Sequence, residues 1–188
     1  VPDNFFVNKI RASMVDKDVV FAAVDAHKTG DLKAYLLRSD DRGRTWTSIA
    51  GDLPARTIVW SIAQDHIKKD LLFAGTEFGI FVTLDGGTRW LKLGGGAPTI
   101  SFRDIEIHRR EHDLVGASFG RGFFILDDYS PLRQIDETTL LQNAMVFPVK
   151  AALSYIPLRP IDSSGKASRG ETFYLAPNPP FGAVFSYY

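Results

Sequence analysis

Two carboxylates, Glu77 and Asp104, have the side-chain type that glycoside cleavage requires in pairs facing one sugar bond. Glu77 suits a general acid or base, although an exposed turn carboxylate is the commoner use of such a residue. Arg103 directly precedes Asp104. Its planar fork can grip a ligand carboxylate, and the same two neighbours also make an ordinary salt-bridged strand end. Arg121 stands between Gly120 and Gly122, where it can be presented to an anion or simply ride a tight turn. Trp60 has a flat face for a sugar ring or for an adjacent sheet, and Phe78 and Phe119 are further aromatic candidates. His108 and His112 flank Arg109-Arg110-Glu111 in a turn, where their spacing has none of the meaning it has on a helix. His66 falls in the matching turn of the preceding segment. Solvated turns are expected for all three, with no metal site and no cofactor. Gly94-Gly95-Gly96 is followed by neither a helix nor a Lys-Ser/Thr pair, so it reads as a connection and not a phosphate loop.

The elements that must position these residues are strands. Ser39-Asp40-Asp41-Arg42-Gly43-Arg44-Thr45-Trp46 has the composition of a tight hairpin turn. Asp41 can accept from the turn's own amides, Gly43 can take positive φ, and Ser39 and Thr45 add hydroxyls. Trp46 begins the next strand. The stretch returns 44 residues later as Thr83-Leu84-Asp85-Gly86-Gly87-Thr88-Arg89-Trp90. That offset brings four other runs into register. One set comprises Val19–Val24, Leu71–Thr76 and Asp113–Ser118. A second comprises Tyr35–Arg38, Gly79–Val82 and Gly122–Ile125. A third precedes each unit at Ile10–Val15, Val59–Ala63 and Phe102–Ile107. A fourth run follows at Thr47–Ile49, Leu91–Leu93 and, weakly, Leu132–Ile135. Four short strands per unit of about 40–50 residues match a propeller blade. The fold class is therefore all-β, a partial β-propeller of about three four-stranded antiparallel blades. The third unit keeps the pattern without the repeated turn, as a terminal repeat does.

Blades are expected over about 1–52, 53–95 and 96–136, with a closing segment to 150. Residues 137 to 142 suit a helical turn and 144 to 149 a strand. Pro157 to Gly170 is loop-like in composition. Residues 151–188 read as a linker and the first strands of a following β domain, at Phe173–Leu175 and Gly182–Tyr188, around the turn Asn178-Pro179-Pro180. The opening at Val1 and the closing apolar run suggest a piece of a longer protein. Basic and acidic residues balance at 22 each, which provides no global field toward nucleic acid. No apolar run approaches the length of a membrane span, about 20 residues. There is no cysteine, hence no disulfide framework. Three blades alone leave two exposed flanks, which we expect the C-terminal segment or a second copy to cover.

The two repeated turns resemble the Asp-box (BNR) repeat, Ser/Thr-x-Asp-x-Gly-x-Thr-Trp. The first matches throughout, through Ser39, Asp41, Gly43, Thr45 and Trp46. The second matches at Thr83, Asp85, Gly87 and Trp90 and places Arg89 in the Thr slot. Families with this repeat include sialidases, xyloglucan-degrading enzymes, photosystem assembly factors and sortilin receptors. Gly75–Phe81, Phe119–Phe123 and Asn178–Ala183 are similar to bacterial secreted proteins with sortilin-like propellers, often classed as glycosyl hydrolases. The resemblance implies a larger propeller, of which these are the last blades, and a secreted or periplasmic parent protein. It also implies that the boxes are structural and lie away from the ligand face.

In a four-stranded antiparallel blade, alternate connections emerge at opposite ends. The end opposite the boxes collects Asn8, Lys9 and Asp25 to Lys33 with His27, then Trp60, Ser61, Glu77 and Phe78, then Arg103, Asp104, Phe119 and Arg121. Three functions fit. The first is a module binding a peptide, protein or glycan there, with the rest of the parent propeller or a second copy as partner. The second is a xyloglucanase- or sialidase-like hydrolase using Glu77 and Asp104. No third arginine and no Tyr–Glu pair complete a sialidase set. The third is a structural scaffold.

Overall fold

In a computed structural model, which describes residues 4–156, 170, 172 and 181–188, the chain forms two units, Val1–Thr138 and Thr139–Tyr188. The first unit is a partial β-propeller of three antiparallel meander sheets. Blade one is β1 (Phe6–Ala12), β2 (Val20–Ala26), β3 (Asp31–Ser39) and β4 (Thr47–Ser48). Blade two is β5 (Val59–Gln64), β6 (Leu72–Thr76), β7 (Gly79–Thr83) and β8 (Leu91–Lys92). Blade three has β9 (Phe102–His108), β10 (Asp113–Ser118) and β11 (Phe123–Leu126).

Blade two is covered on both faces, which is why its strands are apolar almost without interruption. Every residue of β5, β6 and β7 is buried. Side chains alternate between the two faces, with the period of two that a strand imposes. Ile62, Leu72, Ala74 and Phe81 meet Phe21, Ala23 and Leu36 of blade one. Ala63, Leu71, Phe73, Ile80 and Val82 meet Phe102, Ile105 and Leu114 of blade three. Each large side chain buried this way contributes about 1.5–3 kcal/mol. The approach is close at Gly75, where an added Cβ would lie 2.9 Å from the Phe102 carbonyl oxygen.

The repeated turns hold themselves. Asp41 Oδ1 accepts from the amides of Arg44 and Thr45 at 2.9 and 2.8 Å, and Oδ2 accepts from Thr45 Oγ1 at 2.6 Å. Ser39 Oγ donates to Asp41 at 2.7 Å and accepts from the Gly43 amide at 2.7 Å. These donors, the Thr45 hydroxyl first, hold the Asp41 carboxyl well below the usual carboxylate range. Asp85 repeats the pattern with the amides of Thr88 and Arg89, both at 3.0 Å. The fourth residue of each turn reaches the neighbouring hairpin. Arg42 N–H donates to Asp18 O and Gly86 N–H to Asp70 O, both at 2.9 Å.

In blade three that bond survives without the rest of the turn. Tyr129, fourth from Leu126, donates its N–H to His112 O at 2.8 Å. The chain then enters a 3-10 turn, Ser130–Arg133, where the sequence pattern predicts a fourth strand near Leu132. Pro131 has no N–H to give a strand ladder and suits the start of that turn. The first strand also differs from its predicted span. It starts at Phe6 and stops at Ala12, because Ser13 Oγ folds back onto the amides of Val15 and Asp16 at 3.1 and 3.0 Å.

α1 (Glu137–Leu140) runs across the unit boundary, and the rest of the second unit follows it. Val146 and Tyr187 form an isolated antiparallel bridge, a shorter pairing than the strands predicted there. The predicted strand at Phe173–Leu175, the turn at Asn178–Pro180 and most of the predicted loop lie outside the described residues.

Candidate functional site

Each inner strand contains one residue that its partner strand skips. Val7 pairs with Val24 and Lys9 with Ala23, leaving Asn8 bulged. Val59 pairs with Thr76 and Ser61 with Gly75, leaving Trp60 bulged. Phe102 pairs with Ser118 and Asp104 with Ala117, leaving Arg103 bulged. A β-bulge turns its extra side chain out of the ladder and bends the strand. Three equivalent bulges therefore present Asn8, Trp60 and Arg103 at one end of the unit, opposite the repeated turns.

These residues meet across the blades. Asn8 Nδ2 donates to Val59 O at 2.9 Å. The Arg103 guanidinium lies 3.6 Å above the Trp60 ring and 5.3 Å from the centroid of Phe119. Trp60 Nε1 donates to Glu77 Oε2 at 2.8 Å. His27 meets the Trp60 ring edge-on with centroids 5.8 Å apart. Burial of Asp25 works against its charge, yet the His27 amide and ring and Asn8 outweigh it and hold the carboxyl below its usual range. Lys9 Nζ bonds both Asp104 oxygens, at 2.9 and 3.0 Å.

The result is a plate: a guanidinium flat on an indole, flanked by a phenyl ring. Arg103 is exposed and makes no ion pair among the described residues. Stacking occupies one face of the guanidinium and leaves its N–H donors in the plane, free for an acceptor on a ligand. Phe119 is 70% exposed and supplies apolar surface beside it. Of the two candidate carboxylates, Glu77 is engaged by Trp60 and Asp104 by Lys9. Ser61 is fully buried. Phe78 is exposed on the β6–β7 turn. Arg121 is exposed on its glycine turn and makes no hydrogen bond or ion pair among the described residues. The sequence selects this end of the molecule and most of these residues. The bulges, which place them in contact, appear only in the strand register.

A second polar centre lies at the other end, and no pattern in the sequence points to it. Asp65 is fully buried at the end of β5. It accepts from Ile67 N–H and Lys68 N–H at 3.1 and 2.6 Å, Tyr129 Oη at 2.7 Å, and Arg133 Nε and Nη2 at 3.0 and 2.7 Å. Burial opposes its charge, but Arg133, the Lys68 amide and Tyr129 outweigh burial and lower the carboxyl to about 2. Its side-chain partners, Tyr129 and Arg133, lie 64 and 68 residues away, so no local signal announces them. His66 and His112 stack here with centroids 5.4 Å apart and are half-buried, which corrects the solvated turns predicted for them. Burial first, then Arg133, His112 and Arg109, lowers the His66 pKa against the opposing pull of Asp65. Among the described residues no group of three or more His, Asp or Glu side chains is placed to hold a metal ion, and no helix is long and apolar enough to cross a membrane.

No family model matches the chain, and no curated protein matches it. Solved structures do. An ancestral GH74 enzyme is similar at 16% identity and TM-score 0.47, over 60% of this chain and 16% of that one. The GH74 xyloglucanase from Xanthomonas campestris is similar at 14% identity and TM-score 0.47, over 66% of this chain and 21% of that one. YCF48 bound to D1 peptide is similar at 18% identity and TM-score 0.47, over 69% of this chain and 38% of that one. The match thus spans well under half the length of each of these structures.

Proposed function

We propose that the first unit is a non-catalytic binding module, of the sortilin-like Asp-box propeller kind, that takes a peptide, protein segment or glycan at the bulged end. One observation carries this reading: Arg103 is exposed, stacked at 3.6 Å on Trp60, and lacks an ion-pair partner among the described residues. Such a guanidinium is held in place by the ring, so little rotamer freedom is lost when a ligand accepts its hydrogen bonds. Phe119 and Phe78 extend the contact surface for apolar parts of the ligand. Asp41 and Asp85 have a structural role, since their oxygens already serve their own turns. Hydrolysis is the weaker reading because Glu77 and Asp104 each already have a partner within the chain.

The test is binding to peptide and glycan arrays by the chain and by Arg103→Ala and Phe119→Ala. Both positions are exposed, so melting temperature should not change. Each variant should bind the selected ligand about tenfold more weakly. Undiminished binding by both variants overturns the proposal. So does turnover of a glycan that Glu77→Gln or Asp104→Asn abolishes.

A further inference from the structure

We propose that the open edge of β11 pairs two copies of this chain, antiparallel about a two-fold axis. In blades one and two, a short fourth strand lies on the outer edge of the third, β4 on β3 and β8 on β7. Among the described residues blade three has none, and no strand there pairs with the outer edge of β11. Ser118 N–H donates to Gly122 O at 3.0 Å. Antiparallel alternation carries that bonded pattern to Gly116 with Phe124 and Leu114 with Leu126. The N–H and C=O groups of Phe123 and Ile125 therefore face the open edge.

The strand between those groups, Phe123-Phe124-Ile125-Leu126, has no charge and no proline. Those are the residues that ordinarily block edge pairing. Phe124 turns inward to meet Phe102, with ring centroids 5.6 Å apart. Phe123 and Ile125 point the other way and are 75% and 60% exposed.

The charges at the strand ends favour a second copy over another strand. Arg121 stands just before β11, and Asp127 and Asp128 stand just after it. When Phe123 faces Ile125 of the other copy, the two-fold sets the Arg121 end of each copy beside the Asp127 end of the other. Opposite charges then meet twice, and each Phe123 packs on the other copy's Ile125. A parallel pairing would set like charges together. The formal net charge of zero adds no long-range repulsion between copies.

Sedimentation velocity on the 188-residue chain over a hundredfold concentration range tests this. A reversible dimer is expected. Ile125→Lys should be monomeric throughout. Arg121→Asp should weaken the dimer about tenfold, and adding Asp127→Arg should restore it. The charge reversals alter only exposed positions, so they decide the matter if Ile125→Lys is unstable. A monomer at every concentration overturns the proposal, as does a dimer that the charge reversals leave unchanged.

Discussion

The Asp65 side chain gathers five hydrogen bonds. Its carboxylate is buried yet satisfied by two amides, a phenol and a bidentate guanidinium. Removing one member of such a group leaves buried charge without a partner, which costs about 3–5 kcal/mol. Asp65→Asn should therefore lower the midpoint of chemical denaturation sharply. The pH dependence follows from the same bonds. The folded carboxyl titrates near 2, below its unfolded value of 3.8. Its stabilisation is complete above the unfolded value and is lost as pH falls from there through about 2. The lowered pKa of His66 acts earlier, because the unfolded imidazole binds a proton near 6.5 before the folded one does. Thermal melting should thus decline in two stages on acidification, the first beginning near pH 6.5 and the second below pH 4. Asp65→Asn should shrink the second stage to the part that Asp41, Asp85 and Asp25 contribute and keep the first; a second stage of undiminished size would contradict the assignment.

The two repeated turns share a pattern and differ in what they hold. Trp46 bonds within its own turn, Nε1 to Gly43 O at 3.0 Å, and is only partly buried. Trp90 is 5% exposed and donates Nε1 to Ile49 O of blade one at 3.0 Å, while its amide donates to Asp52 at 2.6 Å. The second turn is therefore also a joint between blades. Trp90→Ala should cost about 3–5 kcal/mol in urea denaturation, and Trp46→Ala about 1 kcal/mol. Equal costs would show that the second turn acts only locally. The sequence made these turns legible because each is bonded within eight consecutive residues. It made the buried strands of blade two legible through their unbroken apolar runs. The bulges at Asn8, Trp60 and Arg103 were not legible. A skipped residue is defined by its partner strand, and nothing in the local composition around Trp60 or Arg103 marks it. The fourth strand expected near Leu132 failed for a different reason. Apolar residues there serve a 3-10 turn, whose role is to bring Tyr129 and Arg133 onto Asp65.

Across the whole unit, two interfaces of alternating side chains fix three blades as one body, and its two ends are built differently. One end concentrates internal bonds, in the repeated turns and around Asp65. The other leaves an exposed guanidinium and exposed aromatic rings on a rigid frame, the arrangement expected of a ligand site built on a stable scaffold. The three tryptophans report on this division, because Trp60 belongs to the second end while Trp46 and Trp90 belong to the first. The most direct measurement is a nitrogen–proton NMR titration that follows the three indole signals as pooled peptides and glycans are added. A binding pool should shift the Trp60 indole signal, whose proton is held by Glu77, and leave those of Trp46 and Trp90 in place. Shifts confined to Trp46 or Trp90, or a Trp60 signal that no pool moves, would contradict a ligand site at the bulged end.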